Sequence, residues 1–232
     1  MENWKQWILR IGILLMIAIG SLISIGYVRY QSLIMEAPLQ QVVASIRTNP
    51  NFVSLKDIDD DFLTAILAIE DPTFYTHDGI VLSNIVEALC TNIKEKSLVM
   101  GGSTITQQLS KNIYLDQKKT FQRKIAELFF VHDLESQYSK SEILELYLNV
   151  IYFGDGYYGI KEACNGYFHK HPKDIDIAQA TLLAGLPQAP AIYQLSDGMT
   201  FAKKRQRIVL QAMEEQNILT NEQSLAIYNQ PV

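Results

Sequence analysis

Only 2 cysteines, 7 prolines and 12 glycines occur in 232 residues. So few exclude a disulfide-stapled small scaffold, a collagen-like repeat and a Pro/Gly-rich linker chain. Charge is also sparse, at 19% of residues against 48% hydrophobic, which excludes an intrinsically disordered chain. Cys90 and Cys164 stand 74 positions apart with no CxxC and no metal-ligand spacing, and both fall in apolar helical patterns. Buried thiols are expected there rather than a disulfide. His77, His132, His169 and His171 form no HExxH or similar array, so no zinc site is expected. Sustained two-residue alternation, internal repeats and low-complexity segments are absent as well. These exclusions leave one globular, mainly α-helical domain of ordinary size.

A mean hydropathy of +0.02 is high for such a domain. The excess is local: between Arg10 and Arg29 lie 18 residues, Ile11 to Val28, without a charge. As a helix they span about 27 Å, enough for a bilayer core. Trp4, Trp7, Tyr27 and Tyr30 flank the run at the two headgroup levels, while Lys5 and Arg10 precede it and only Arg29 follows closely. The bias predicts a cytoplasmic N-terminus over 1–10, a transmembrane helix over 11–28 and an outside chain beyond. Ala18 and Gly20 permit a competing reading as a cleaved signal peptide, but the run stays apolar well past Gly20, which favours an uncleaved anchor. Residues 29–58 read as a poorly patterned connector, and 59–232 as the folded domain.

From Asp59 onward apolar residues recur at helical spacing. Phe62, Ile66 and Ile69 line one face, and Leu82, Ile85, Val86, Leu89 and Ile93 line a second. Ile105, Leu109 and Ile113 line a third. Thr120, Asp176 and Thr200 can start helices, and Ser139 with Glu142 and Thr220 with Gln223 form capping boxes. Between Lys94 and Lys124 stand seven cations (Lys94, Lys96, Lys111, Lys118, Lys119, Arg123, Lys124) against Glu95 and Asp116, a local +5 in a chain of −5. A cationic segment in an acidic chain beside a membrane suggests an anionic partner such as phosphate, and not nucleic acid; a solvated lysine-rich face is the plain alternative.

Four clusters concentrate the chemistry. In residues 70–79, Glu70 ends an apolar helix that Pro72 forces the chain to leave. A carboxylate beside apolar residues has a raised pKa and can act as a general base, although a lone helix-end Glu is more often a solvated surface residue. Asp71 and His77 of the same segment are further substrate-binding candidates. In residues 101–112, two glycines precede Ser103 in a loop ending at a helix N-cap, where free N–H groups would suit an anion. Thr104, Gln108 and Lys111 share one face of the following helix, with Gln107 and Asn112 bordering it. In the third cluster Arg123 and Lys124 lie four and three residues before Glu127, as an intrahelical ion pair or, with Lys111, as a diphosphate holder. The fourth, Tyr138 to Gly159, reads as a capped packing helix and a tight glycine turn.

IEDPTFYTHDGI, GGSTITQQLSKN, RKIAE, YSKSEILELYLNVIYFG with GYYGI, and LAGLPQAP occur in the order and near the spacing of the peptidoglycan glycosyltransferases of family 51. The chain resembles that family from about Asp59 to Met213. The resemblance implies a lysozyme-like, two-lobed helical glycosyltransferase domain behind one N-terminal transmembrane helix, in a bacterial cell membrane with the domain outside. Its implied substrate is lipid II, polymerised with release of undecaprenyl diphosphate. Glu70 would be the general base on the acceptor 4-hydroxyl, Glu127 the second catalytic carboxylate, and Lys111, Arg123 and Lys124 the partners of the leaving diphosphate. Ser103, Thr104, Gln108 and Asn112 would line the donor side of the cleft. No tightly bound cofactor is implied, with a divalent cation (Mg or Mn) beside the diphosphate. Implied partners are lipid II, the growing strand, the bilayer and other cell-wall synthesis proteins.

Pro72, Gln179, His169 and Gln194-Leu195 depart from the family pattern without removing a proposed catalytic group. No Ser-x-x-Lys or Lys-Thr-Gly occurs, which predicts a monofunctional enzyme without a transpeptidase domain. The competing functions are a membrane-bound lytic glycosidase and an inactive scaffold of the same fold. A glycosidase protonates a poor sugar leaving group and needs an acid as well as a base. A departing diphosphate develops charge that fixed cations stabilise, and the local +5 fits that chemistry.

Overall fold

The computed structural model describes residues 2–82, 102–115 and 120–232. Among them the first helices are α1 (Glu2–Glu36), α2 (Leu39–Arg47), α3 (Asp60–Glu70), α4 (Ile105–Tyr114), α5 (Phe121–Gln137) and α6 (Lys140–Val150). They are followed by α7 (Ile160–Phe168), α8 (Ile177–Gly185), α9 (Pro190–Tyr193), α10 (Met199–Glu215) and α11 (Asn221–Tyr228). The helix expected from Leu82 to Ile93, with Cys90, lies outside the described residues beyond Leu82, as do Lys94, Lys96, Lys118 and Lys119.

Helix starts follow the capping chemistry closely. Thr120 accepts the Arg123 N–H, and Ser139, Asp176 and Thr220 close capping boxes with Glu142, Gln179 and Gln223. A glutamine serves that box as a glutamate would, which accounts for Gln179. His169 caps α7 in the left-handed region at φ 54°, a conformation that a glycine adopts without strain. α10 begins at Met199 behind Gly198 rather than at Thr200, so that start is corrected.

The expected connector is also corrected. α1 runs unbroken to Glu36, and α2 follows with Leu39 and Val43 buried one turn apart. Val53 exchanges hydrogen bonds with the Asn149 side chain, its N–H donating to Oδ1 and its carbonyl accepting from Nδ2, both at 2.8 Å. Ile58 is fully buried. These are single apolar residues or pairs, too few to make a periodic signal, and they belong to the domain core.

That core unites Phe62 and Ile66 of α3, Phe74, Ile105 and Leu109 of α4, Tyr147 of α6 and Phe153, all sealed from solvent. α3 lies against α8 and α10, while α4 lies against α5 and α6, so the cleft forms where the ends of α3 and α4 meet. Cys164 is a buried free thiol whose pKa burial pushes up to about 12.

α1 behaves differently along its length. Leu14, Met16 and Val28 are each 66% exposed, and the span Gln6–Glu36 is long and apolar enough to cross a membrane. Its C-terminal part docks on α5. A Cβ on Gly26 would come within 2.3 Å of Ile125 Cγ2, so only glycine permits this approach. Tyr30 packs edge-on to Phe130 and donates its hydroxyl to Asp133 at 2.6 Å. Gly26→Leu is therefore expected to separate α1 from α5 and lower stability in detergent by about 1–3 kcal/mol. Gly20→Leu, facing open space, is expected to leave the melting temperature unchanged, and thermal denaturation of the two variants checks both outcomes.

Candidate active site

Glu70 is the last residue of α3, because Asp71 leaves the helix at φ −160° and Pro72 cannot continue it. Its side chain is 11% exposed, not the solvated helix end that an isolated Glu would be. Oε2 accepts a hydrogen bond from Gln108 Nε2 at 2.6 Å. Gln108 is oriented in turn by the Tyr147 hydroxyl, which donates to its Oε1 at 3.2 Å. Arg205 of α10 stands behind, its Nη2 3.9 Å from Glu70 Oε1. Burial raises the Glu70 pKa above the usual carboxylate range, while the Gln108 hydrogen bond, Arg205 and Lys111 pull it down and Asp71 pushes it up.

Asp71 and His77 are engaged with each other and with the start of α4. Asp71 is fully buried, and its carboxylate accepts from His77 Nε2 at 2.9 Å and from the Ile105 N–H at 3.0 Å. Gly79 N–H donates to His77 Nδ1, so Nε2 carries the hydrogen given to Asp71. The pair ties the end of α3 to the start of α4. Thr104 is likewise buried, its hydroxyl accepting from Gln107 N–H and donating to the Gly79 carbonyl. Three N–H groups at this N-terminus have protein acceptors: Thr104 donates to the Gln107 side chain, Ile105 to Asp71 and Gln107 to Thr104, the last two residues forming a capping box.

Glu127 on α5 is 2% exposed, and its two oxygens accept from Arg123 Nη1 at 2.9 Å and from Lys124 Nζ. Lys124 also reaches Ser103 Oγ at 3.4 Å, so Ser103 joins the cationic side. Lys111 is largely buried; burial lowers its pKa and the Glu127 charge raises it. Gln108, Lys111 and Asn112 line a cavity of about 500 Å³ together with Pro187–Ile192. The chain folds LAGLPQAP back to face α4 in this way. Among the described residues no group of three His, Cys, Asp or Glu side chains stands close enough to hold a metal ion, and Glu127 is already occupied by two cations.

Arg205 and Tyr147 were missed by sequence reasoning. Arg205 carried a readable signal: it lies three and four residues from Ala202 and Val209 on the buried face of α10, where a cation is out of place. Gly185 leaves room for its stem, since a Cβ there would lie 2.8 Å from Arg205 Cγ. Tyr147 sits among apolar neighbours on α6 and carried none.

The transglycosylase family pattern ("Transglycosylase") matches residues 37–214, a span that takes in α2 and the former connector beyond it. Penicillin-binding protein 2D of Bacillus subtilis (strain 168) is 41% identical over 181 residues, which are 78% of this chain and 26% of that protein. Penicillin-binding protein 1A of Aquifex aeolicus (strain VF5) is 40% identical over 181 residues, 78% of this chain and 25% of that one. The crystal structure of penicillin-binding protein 1A from Haemophilus influenzae aligns with a TM-score of 0.47 at 21% identity, covering 78% of this chain and 17% of that one. The chain spans about a quarter of the length of these two curated relatives.

Replacing Asp71 by Ala leaves the Ile105 N–H and His77 Nε2 buried without an acceptor. Thermal or chemical denaturation is expected to show a loss of about 2–4 kcal/mol. A variant as stable as the parent would rule out the joint between α3 and α4.

Proposed function

The chain belongs to the transglycosylase family, and from that premise we propose that it polymerises lipid II into peptidoglycan glycan strands. The observation that carries this reading is the buried Glu70 carboxylate, which accepts from Gln108, a residue that lines a cavity together with Lys111. Glu70 takes the proton of the acceptor sugar's 4-hydroxyl. The oxygen attacks the anomeric carbon of the donor strand as the bond from that carbon to the diphosphate oxygen breaks, and the electron pair leaves with undecaprenyl diphosphate. The new link is β-1,4, with inversion. Lys111, Arg123 and Lys124 meet the charge that develops on the leaving group.

Each carboxylate's surroundings suit that division of labour. Glu127 accepts from a cation at both oxygens, which makes it a clamp on Arg123 and Lys124. A lytic glycosidase would need an acid carboxyl beside its base, whereas this second carboxylate is engaged by two cations, so transfer is favoured over hydrolysis. The α1 anchor holds the domain at the membrane surface where a lipid-linked substrate lies, with its N-terminus in the cytoplasm and the domain outside. The growing strand, the bilayer and other cell-wall synthesis proteins are the partners that follow from this placement.

Glu70→Gln preserves the Gln108 contact geometry but cannot take a proton. Its lipid II polymerisation rate is expected to fall by about 10²-fold or more, measured by following labelled glycan product. A wild-type rate would remove Glu70 from the role of base. Because the base acts as the carboxylate and its pKa is raised, activity is expected to fail on the acid side at a higher pH than an ordinary Glu would impose. Arg205→Gln deletes an opposing cation and is expected to move that acid limb further up in pH, with Arg205→Lys restoring part of the shift; pH profiles of kcat/KM decide it.

A further inference from the structure

Glu135 occupies a place where the local rules disfavour it. It stands in the last turn of α5, the negative end of the helix dipole, and its side chain is only 13% exposed. A carboxylate is retained there only if its partners offset both costs. Thr106 of α4 donates its hydroxyl to Glu135 Oε1 at 2.5 Å, and Lys140, at the start of α6, donates to the same oxygen at 2.8 Å. The Lys140 ammonium also lies 4.6 Å from the centre of the Phe74 ring. Gly79 closes the group: its φ is 81°, and a Cβ there would come within 2.8 Å of Glu135 Cγ and Oε1. One side chain thus meets α4, α6 and the segment that follows Glu70.

None of these groups takes part in the reaction described above, and their common effect is on register. Two contacts bear on how α4 and α5 meet. Tyr114 stacks on Phe130 with centroids 4.0 Å apart and planes at 10°, a contact of flat apolar faces that tolerates sliding. The hydrogen bond from Thr106 to Glu135 is directional and does not. Glu127 lies eight residues before Glu135, about 12 Å along α5, with Arg123 and Lys124 one turn further. Thr106 lies five residues before Lys111 on α4. A slip of α5 on α4 therefore moves the whole clamp relative to Lys111.

We propose that Glu135 is a positioning residue for glycosyl transfer: by taking the Thr106 hydroxyl and the Lys140 ammonium on one oxygen, it fixes the register of α5 on α4 and so sets the Arg123, Lys124 and Glu127 clamp against Lys111. The proposal rests on the glycan-polymerising reading above. It assigns Glu135 no contact with substrate and no proton to carry. The effect is on where the cations stand as charge develops on the diphosphate, so it shows in the rate and in diphosphate affinity.

The test uses the full chain in detergent, with lipid II for the rate and farnesyl diphosphate as a probe of the cations alone. Glu135→Ala removes the acceptor, Thr106→Val removes the donor without changing charge, and Glu135→Gln keeps an acceptor oxygen for both partners. The alanine and valine variants are each expected to lower kcat by about ten- to hundredfold while KM changes less, and the glutamine variant to stay within about threefold of the wild type. The double variant Glu135→Ala/Thr106→Val is expected to be no slower than the slower single variant, because both changes break one hydrogen bond. By calorimetric titration the alanine variant is expected to bind farnesyl diphosphate about three- to tenfold more weakly. All assays run below the melting temperature of each variant. A merely structural Glu135 would lower that temperature and leave kcat and probe affinity as they are; this result overturns the proposal, as does a loss in the double variant equal to the product of the single losses. Failure of the parent reading is a separate result, because full activity in Glu70→Gln removes the base and leaves the farnesyl diphosphate comparison in force.

Discussion

The buried Asp71 carboxylate is the joint on which the cleft depends. It closes the end of α3, takes the His77 imidazole on one side and receives the first N–H of α4 on the other. Glu70 is the residue before it and Gln108 lies one turn inside α4, so a single carboxylate sets the two partners of the 2.6 Å contact at the cleft. Because Asp71 is fully buried, its partners cannot be exchanged for water, and the joint resists local opening.

Three carboxylates within this region have three different environments, and their chemistry follows from the partners. Asp71 is saturated by an imidazole and a backbone amide and is structural. Glu127 is saturated by a guanidinium and an ammonium and keeps two cations in register. Among the described residues Glu70 has one amide donor and a guanidinium at 3.9 Å, with burial that raises its pKa. A base needs a lone pair that is both available and basic, and of the three described environments that of Glu70 suits this best. Gln108, which contacts Glu70, also lines a cavity with Lys111, Asn112, Tyr152 and Tyr158.

Much of this was legible in the residue order. The caps at Thr120, Ser139, Asp176 and Thr220 were readable because capping is satisfied within four residues. The Arg123, Lys124 and Glu127 grouping was readable for the same reason, since three- and four-residue spacing fixes neighbours on a helix. The region 29–58 was not, because Leu39, Val43, Val53 and Ile58 find their partners in distant helices and leave no period of their own. Thr104 and Asp71 looked like site residues from their motifs. Burial turned both to the support of the cleft.

The sequence by itself determined the membrane-length apolar helix, the helical character of the domain, most helix starts and the cationic grouping, all consequences of interactions between near neighbours. Tertiary structure decided the partners of each carboxylate, that Arg205 stands behind Glu70, and that Tyr152 and Tyr158 line a cavity with Gln108 and Lys111. These depend on chain segments meeting across the core, where burial and the order of packing, not local spacing, select the partners.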